Sequence, residues 1–133
     1  MPIGFHVYPD SRLLFIRGHG VITQTERIDA MLAWLQDPGY RHCTSALFDV
    51  TAAQTTPKVA QLREIIALLR QNMPADGPQK LAIVTGKPIA YAVAQVFRAL
   101  IQPKNLPLQV RVFLDREVAW AWLRPEKTLP EPG

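Results

Sequence analysis

Three groups of residues in this chain have the types and spacing for chemistry. The first is Asp49 with the threonines behind it, in "FDVTAAQTTP" at residues 48–57. An apolar run closes at Asp49. A carboxylate at the end of a parallel strand stands where open α/β sheets gather their ligands. The same carboxylate also suits a turn, accepting N–H bonds from the residues after it. Thr51, Thr55 and Thr56 add hydroxyls that could form a regulatory or ligand-binding loop. Thr56–Pro57 reads first as a helix start, and the expectation is Thr56 as N-cap and Pro57 in the first helical position, not a switch. The second group is His19 within "GHG" (18–20). Flanking glycines let other groups approach an imidazole, which acts as a general base near neutral pH. A turn histidine explains the pattern as well. The third is Cys43 beside His42. Neighbours along a strand point to opposite faces, so the expectation is an inert, buried thiol.

Recognisable catalytic signatures are missing around these groups. His6, His19 and His42 form no helical metal-binding pair, and a single cysteine cannot build a zinc cluster. "TGKP" (85–88) follows an apolar run and precedes a helical pattern. It lacks the glycine spacing of a phosphate loop, and Pro88 removes an N–H that would face an anion. Neither a dinucleotide fingerprint nor a nucleophile elbow occurs. The expectation is a non-enzymatic protein with no cofactor and no metal. The enzymatic alternative is a hydrolase-type activity using Asp49 and His19.

The elements that must position these residues follow from periodicity. Phe5–Tyr8 and Leu13–Arg17 are β-rich runs around the turn "PDSR", which predicts a hairpin broken by "GHG". Thr23 and Glu26 have capping-box spacing, and Ile28, Met31, Leu32 and Leu35 then share one helical face until "DPG" stops it. "SALFDV" (45–50) is a buried strand. A second helix runs from about Pro57 to Met73, with Val59, Leu62, Ile66, Leu69 and Met73 on one face. The loop "PADGP" (74–78) leads into the strand "KLAIVT" (80–85). A third helix spans about Pro88 to Gln102 and stops at Pro103. "LQVRVFL" (108–114) is the last strand, and Asp115 caps a final helix, Arg116 to Leu123. In that helix Val118, Ala119, Trp122 and Leu123 are expected to face the core and Trp120 to be more exposed. The order is β-β-α-β-α-β-α-β-α. It predicts an α/β fold in which an N-terminal β-hairpin leads into βα units, with a mostly parallel sheet of about five strands and four helices. The strands at 46–48 and 81–84 are apolar without alternation, so both their faces should be covered.

Composition sets the class. The chain of 133 residues suits one domain, taken as 1–123, followed by a loose Pro-rich tail at 124–133. The formal charge is +4, but the fifteen Lys and Arg are scattered, whereas phosphate tracking needs them on one surface. No nucleic-acid partner is expected. No apolar run reaches the ~18 residues of a bilayer span, and no secretory pattern opens the sequence. With one cysteine, a reducing, cytoplasmic location is expected.

Four local features bring a family into view. They are the hairpin ending "RGHGVIT", "DPGYR" after the first helix, "LFDV" closing the next strand, and "VRVFLDREVAWAWL" near the C-terminus. With the element order, these resemble the STAS-like fold of anti-sigma-factor antagonists, and in particular the SpoIIAA-like (STAS/SEC14-like) group of small bacterial proteins. The resemblance covers roughly residues 5–123. It implies a regulatory or protein-interaction module. Some members of the wider group bind lipids, which implies a small apolar ligand as the alternative, with Trp34, Trp120 and Trp122 as candidate liners. In the antagonists the loop after the equivalent strand holds Asp-Ser-Ser-Gly, whose Ser a partner kinase phosphorylates. Here that loop lacks the motif, which argues against a phospho-switch.

The third helix is apolar around most of its circumference, with only Gln95, Arg98 and Gln102 as a polar stripe. An ordinary surface helix shows an apolar arc of ~100° or somewhat more. Ile89, Val93, Val96 and Leu100 are assigned to the sheet. Tyr91, Ala92, Ala94, Phe97 and Ala99 then need other cover, which makes Tyr91, Ala94, Phe97 and Arg98 candidate interface residues. A homodimer or a protein partner is one expectation, and burial inside one chain is the other.

Overall fold

The computed structural model describes residues 2–72, 79–101 and 108–123. Met73, the "PADGP" loop, the stop of the third helix at Gln102–Pro103 and the tail at 124–133 lie outside the described residues. A hairpin comes first: β1 (Ile3–Tyr8) pairs antiparallel with β2 (Leu13–Gly20), Tyr8 opposite Leu13. Between them Pro9–Ser11 form one turn of 3-10 helix, and Arg12 takes the left-handed conformation at φ 49°. The remaining strands, β3 (Ser45–Ala53), β4 (Lys80–Val84) and β5 (Gln109–Phe113), join in parallel, giving the spatial order β1-β2-β3-β4-β5. The helices are α1 (Gln24–Leu35), α2 (Val59–Asn72), α3 (Pro88–Ile101) and α4 (Arg116–Leu123). Among the described residues no helix is long and apolar enough to cross a membrane.

Each crossover from one parallel strand to the next carries a helix. Because crossovers share one hand and the strands advance in one direction, α1, α2 and α3 all land on the same face. That face holds Ile3, Leu14, Ile16, Ala46, Leu81 and Ile83. The opposite face holds Leu13, Phe15, Leu47, Ala82 and Val84, and α4 covers it with Ala119, Trp120 and Leu123. Both faces of the central strands are therefore buried, which is why those strands read as unbroken apolar runs.

Local chemistry sets several boundaries. Thr23 and Glu26 make the capping box at α1: the Glu26 N–H donates to the Thr23 hydroxyl, and the Thr23 N–H donates to Glu26 Oε1. Asp115 Oδ1 accepts the Glu117 N–H at 2.7 Å at the start of α4. The "GHG" segment does not break β2, which runs on to Gly20 with a register irregularity between Arg17 and His19. Its glycines have separate causes. A Cβ at Gly18 would sit 3.0 Å from Ile22 Cδ1, and Gly20 has φ +68°. Similarly β3 does not end at Val50. It extends to Ala53, so Thr51 belongs to the strand.

Two helices turn a different side to the sheet than periodicity suggested. In α3, Ala94, Phe97 and Ile101 are buried and Val93 and Leu100 pack half-buried against the same core, while Ile89 is 71% and Val96 38% exposed. The sets 89/93/96/100 and 90/94/97/101 have identical spacing and differ by one residue, about 100° of rotation. On a helix apolar all round, spacing cannot choose between them. The face carrying Ala90, Ala94, Phe97 and Ile101 is the one turned inward. In α4 the same one-residue rotation occurs. Ala119, Trp120 and Leu123 are buried, Trp120 at 3%, whereas Val118 is exposed and Trp122 is half-buried. Trp122 lies 5.7 Å from the Phe113 ring, with Lys80 Nζ 5.2 Å and the Arg111 guanidinium 5.5 Å from its own. Those two cations lie near the indole and draw it toward the rim of the domain.

Candidate functional site

His19, Asp49 and Thr51 lie toward the carboxyl ends of β2 and β3, whereas His42 and Cys43 precede β3 at its amino end. Asp49 is buried, and its Oδ1 accepts both the Thr51 N–H (3.0 Å) and the Thr51 hydroxyl (2.7 Å). The carboxylate accepts from the residue two places on, as the turn-capping alternative expected, but it does so within β3, where no turn follows Asp49. His19 is exposed and stands opposite Ala52, while Asp49 stands opposite Arg17. Thr55 clasps the β2–α1 connection: its hydroxyl accepts the Ile22 N–H and donates to the Ile22 carbonyl, both at 2.9 Å. Thr56 is not an N-cap. The helix begins three residues further on, at Val59, and the Lys58 N–H donates to Gln61 Oε1 at 2.8 Å, half of a capping box built by Gln61. Pro57 therefore precedes the helix and does not occupy its first position.

Cys43 is buried at 1% exposure and His42 is exposed, although neither lies in a strand; Pro38–His42 form a short 3-10 turn. Burial first, and Asp37 second, push the Cys43 thiol up to about 11. Thr85, at the end of β4, is wholly buried, and its hydroxyl has no hydrogen-bond partner among the described residues. No group of three or more His, Cys, Asp and Glu is placed to hold a metal among the described residues.

An apolar cavity of about 170 Å³ lies between the sheet and the three helices on its first face. Its floor includes Leu14, Ile16, Ala46, Phe48 and Ile83, and its walls include Met31 and Trp34 from α1 and Leu62 from α2. The cause is local. Ala46, Ala53, Ala90 and Ala94 all face this space. Four methyl side chains at positions where cores ordinarily place larger ones leave volume that the neighbouring rings and leucines do not fill. An engineered cavity of about 150 Å³ with apolar walls stays dry and takes up benzene. This one is of that size.

Polar groups line only part of the cavity. Arg27, near the start of α1, and Thr55 and Thr56, in the segment before α2, are among the lining residues; Thr56 is exposed and Arg27 and Thr55 are half-buried. Close by in the chain, the Gln24 side-chain amide donates to the Gln61 carbonyl (3.1 Å) and to Glu64 Oε1 (2.9 Å), tying α1 to α2. Arg27 is half-buried beside it. Burial lowers its pKa, partly offset by Glu26. Tyr40 is buried against another part of the lining, and burial holds its phenol up to about 12.

Of the three tryptophans expected to line a cavity, only Trp34 does so. Trp120 and Trp122 lie on the opposite face of the sheet with α4. Ala94 and Phe97, candidate interface residues, are core residues that also line the cavity, while Tyr91 and Arg98 are half-buried. Arg27 was not singled out in the sequence. The signal available was a lone cation next to Ile28 and one turn before Met31, on a helix otherwise apolar on that side.

No protein-family model matches this chain, and no curated protein does. Among solved structures, it is similar to an uncharacterized protein of the DUF3478 family from Shewanella loihica PV-4, described as having a SpoIIAA-like fold. The TM-score is 0.54 at 18% sequence identity, and the match covers 91% of each chain. The shared hairpin, parallel strands and helices, over nearly the whole of both chains, give this protein a SpoIIAA-like α/β fold.

Proposed function

We propose that this protein is a STAS-like binding module that holds a small apolar molecule between its sheet and its first three helices. One observation carries the reading: the cavity of about 170 Å³, whose lining is apolar apart from a few polar groups. Ligand sites are typically apolar concavities with a few polar groups fixing orientation. In this reading the protein catalyses nothing. Asp49 and Thr51 are taken up with each other, and the threonine segment joins strand to helix without acting as a phospho-switch. Native mass spectrometry of the protein purified from its own host tests the reading. A retained small molecule supports it, and so does a change in Trp34 fluorescence on adding a short-chain alcohol or fatty acid. A protein that carries nothing and responds to neither class up to millimolar concentration refutes it.

A second reading, protein contact or self-association, is favoured by the exposed apolar residues of α3, Ile89 and Val96. Sedimentation of wild type and Val96→Glu decides it. A wild-type dimer that the variant disrupts supports the contact, and a monomer at micromolar concentration removes it.

A further inference from the structure

Arg27 is unusual for its place. Arg27 is half-buried and lines an apolar cavity that Thr55 and Thr56 also line. Among the described residues its hydrogen bonds go to two neutral oxygens, Gln24 Oε1 at 3.3 Å and Thr55 Oγ1 at 3.5 Å. Both are long for a charged donor. The nearest acidic neighbour in sequence, Glu26, has Oε1 engaged by the Thr23 N–H at 2.9 Å and the Thr23 hydroxyl at 3.0 Å. Glu64 Oε1 accepts from the Gln24 amide. A partly desolvated cation without a hydrogen-bonded anion is an unfavourable arrangement, and burial does lower its pKa. A planar carboxylate would match the guanidinium fork and replace two weak bonds with charge-assisted ones.

The remainder of the site is apolar. Behind Arg27 lie Met31 and Trp34, one and two turns along the same helix, with Leu62 across from them. Any molecule bound to Arg27 by a carboxylate would therefore have to place a hydrocarbon part against these walls. By comparison with the cavity that holds benzene, 170 Å³ accommodates on the order of six to eight carbons. A polar body, such as a sugar or nucleotide, would leave its hydroxyls unpaired there.

We infer that the cavity's ligand is an amphipathic monocarboxylate of medium chain length, its carboxylate on Arg27 and its hydrocarbon tail beneath α1 and α2. This rests on the cavity reading above and adds the anion to it. The single guanidinium sets the charge of the head group, and Thr56, which carries a hydroxyl donor, lines the same cavity.

Calorimetric titration with octanoate and with 1-octanol, at neutral pH and below micelle-forming concentrations, tests the inference. The two share a chain and differ in the head group. Wild type is expected to bind octanoate at least tenfold more tightly than octanol. Arg27→Gln should bring the two within about threefold by weakening octanoate alone, and Arg27→Lys should restore part of the preference. Unchanged octanol affinity in both variants shows that the cavity is intact. Equal affinities in wild type overturn the carboxylate while leaving an apolar site standing. Octanoate binding that is indifferent to Arg27→Gln overturns the placement. If neither compound binds, the cavity reading falls together with this one.

Discussion

Replacing Ala46 with valine tests the space beneath the helices directly. Ala46 sits in the central strand β3, between Leu14 and Leu81 on its neighbours, and is 5% exposed. Its methyl faces the cavity. Valine adds two carbons there. At about 0.8 kcal/mol for each buried carbon, filling empty apolar volume should stabilise the protein by roughly 1.5 kcal/mol. Valine's preference for strands acts in the same direction. In a core already packed to normal density the same substitution would force neighbours aside and destabilise by about 1–3 kcal/mol. The two cases differ in sign, so the measurement is decisive. Urea unfolding followed by circular dichroism should show the midpoint rising by roughly 0.5–1 M with an unchanged slope. The added methyls should also weaken octanoate binding, since they occupy the same volume. A lower midpoint at constant slope would refute the argument, because it would mean that the space is already filled.

The remaining expectations concern individual side chains. Trp120→Ala should destabilise by about 3–5 kcal/mol, as expected for a fully buried ring, and Trp122→Ala by clearly less, with urea midpoints as the measure. Thr55→Val removes both hydrogen bonds to Ile22 and should lower stability by about 1–3 kcal/mol, whereas Thr56→Ala should stay within about 0.5 kcal/mol in the same assay. Ala94→Glu should unfold the chain or lower its melting temperature sharply, because it puts a carboxylate into the core, while Val96→Glu on the exposed side of α3 should leave melting nearly unchanged. For Cys43, burial raises the folded-state pKa to about 11, above the ordinary thiol value of 9.0. Both folded and unfolded chains hold the proton below pH 9, so its contribution is complete there. It is lost as pH rises from about 9 to about 11, where the unfolded thiol ionises first. Stability should fall across that window, and less steeply in Cys43→Ala. At pH 8 the native thiol should resist alkylation that proceeds rapidly in urea.

The sequence by itself determined the order of the elements and where most of them begin. Thr23 and Glu26 announced α1 because a capping box is a bargain struck within four residues, and Asp115 announced α4 for the same local reason. The unbroken apolar runs at 46–48 and 81–84 announced strands covered on both faces, because burial on two sides abolishes alternation. The closure of Asp49 onto Thr51 was also legible as an alternative, since it spans two residues.

What only the tertiary structure decided is rotation and empty space. Whether α3 presents Ala94 or Val96 inward, and whether α4 presents Trp120 or Trp122, turns on one residue of register. Local periodicity is equally satisfied either way, and only the surfaces that meet the helix select one. The role of Thr55 was hidden for a related reason: its partner, Ile22, lies 33 residues away. The cavity was hidden most deeply. Ala46, Ala53, Ala90 and Ala94 are unremarkable in separate elements, and their smallness becomes a shared volume only when sheet and helices bring them around one space. Arg27 followed suit, because a cation on an amphipathic helix takes its meaning from what lies beyond the apolar edge.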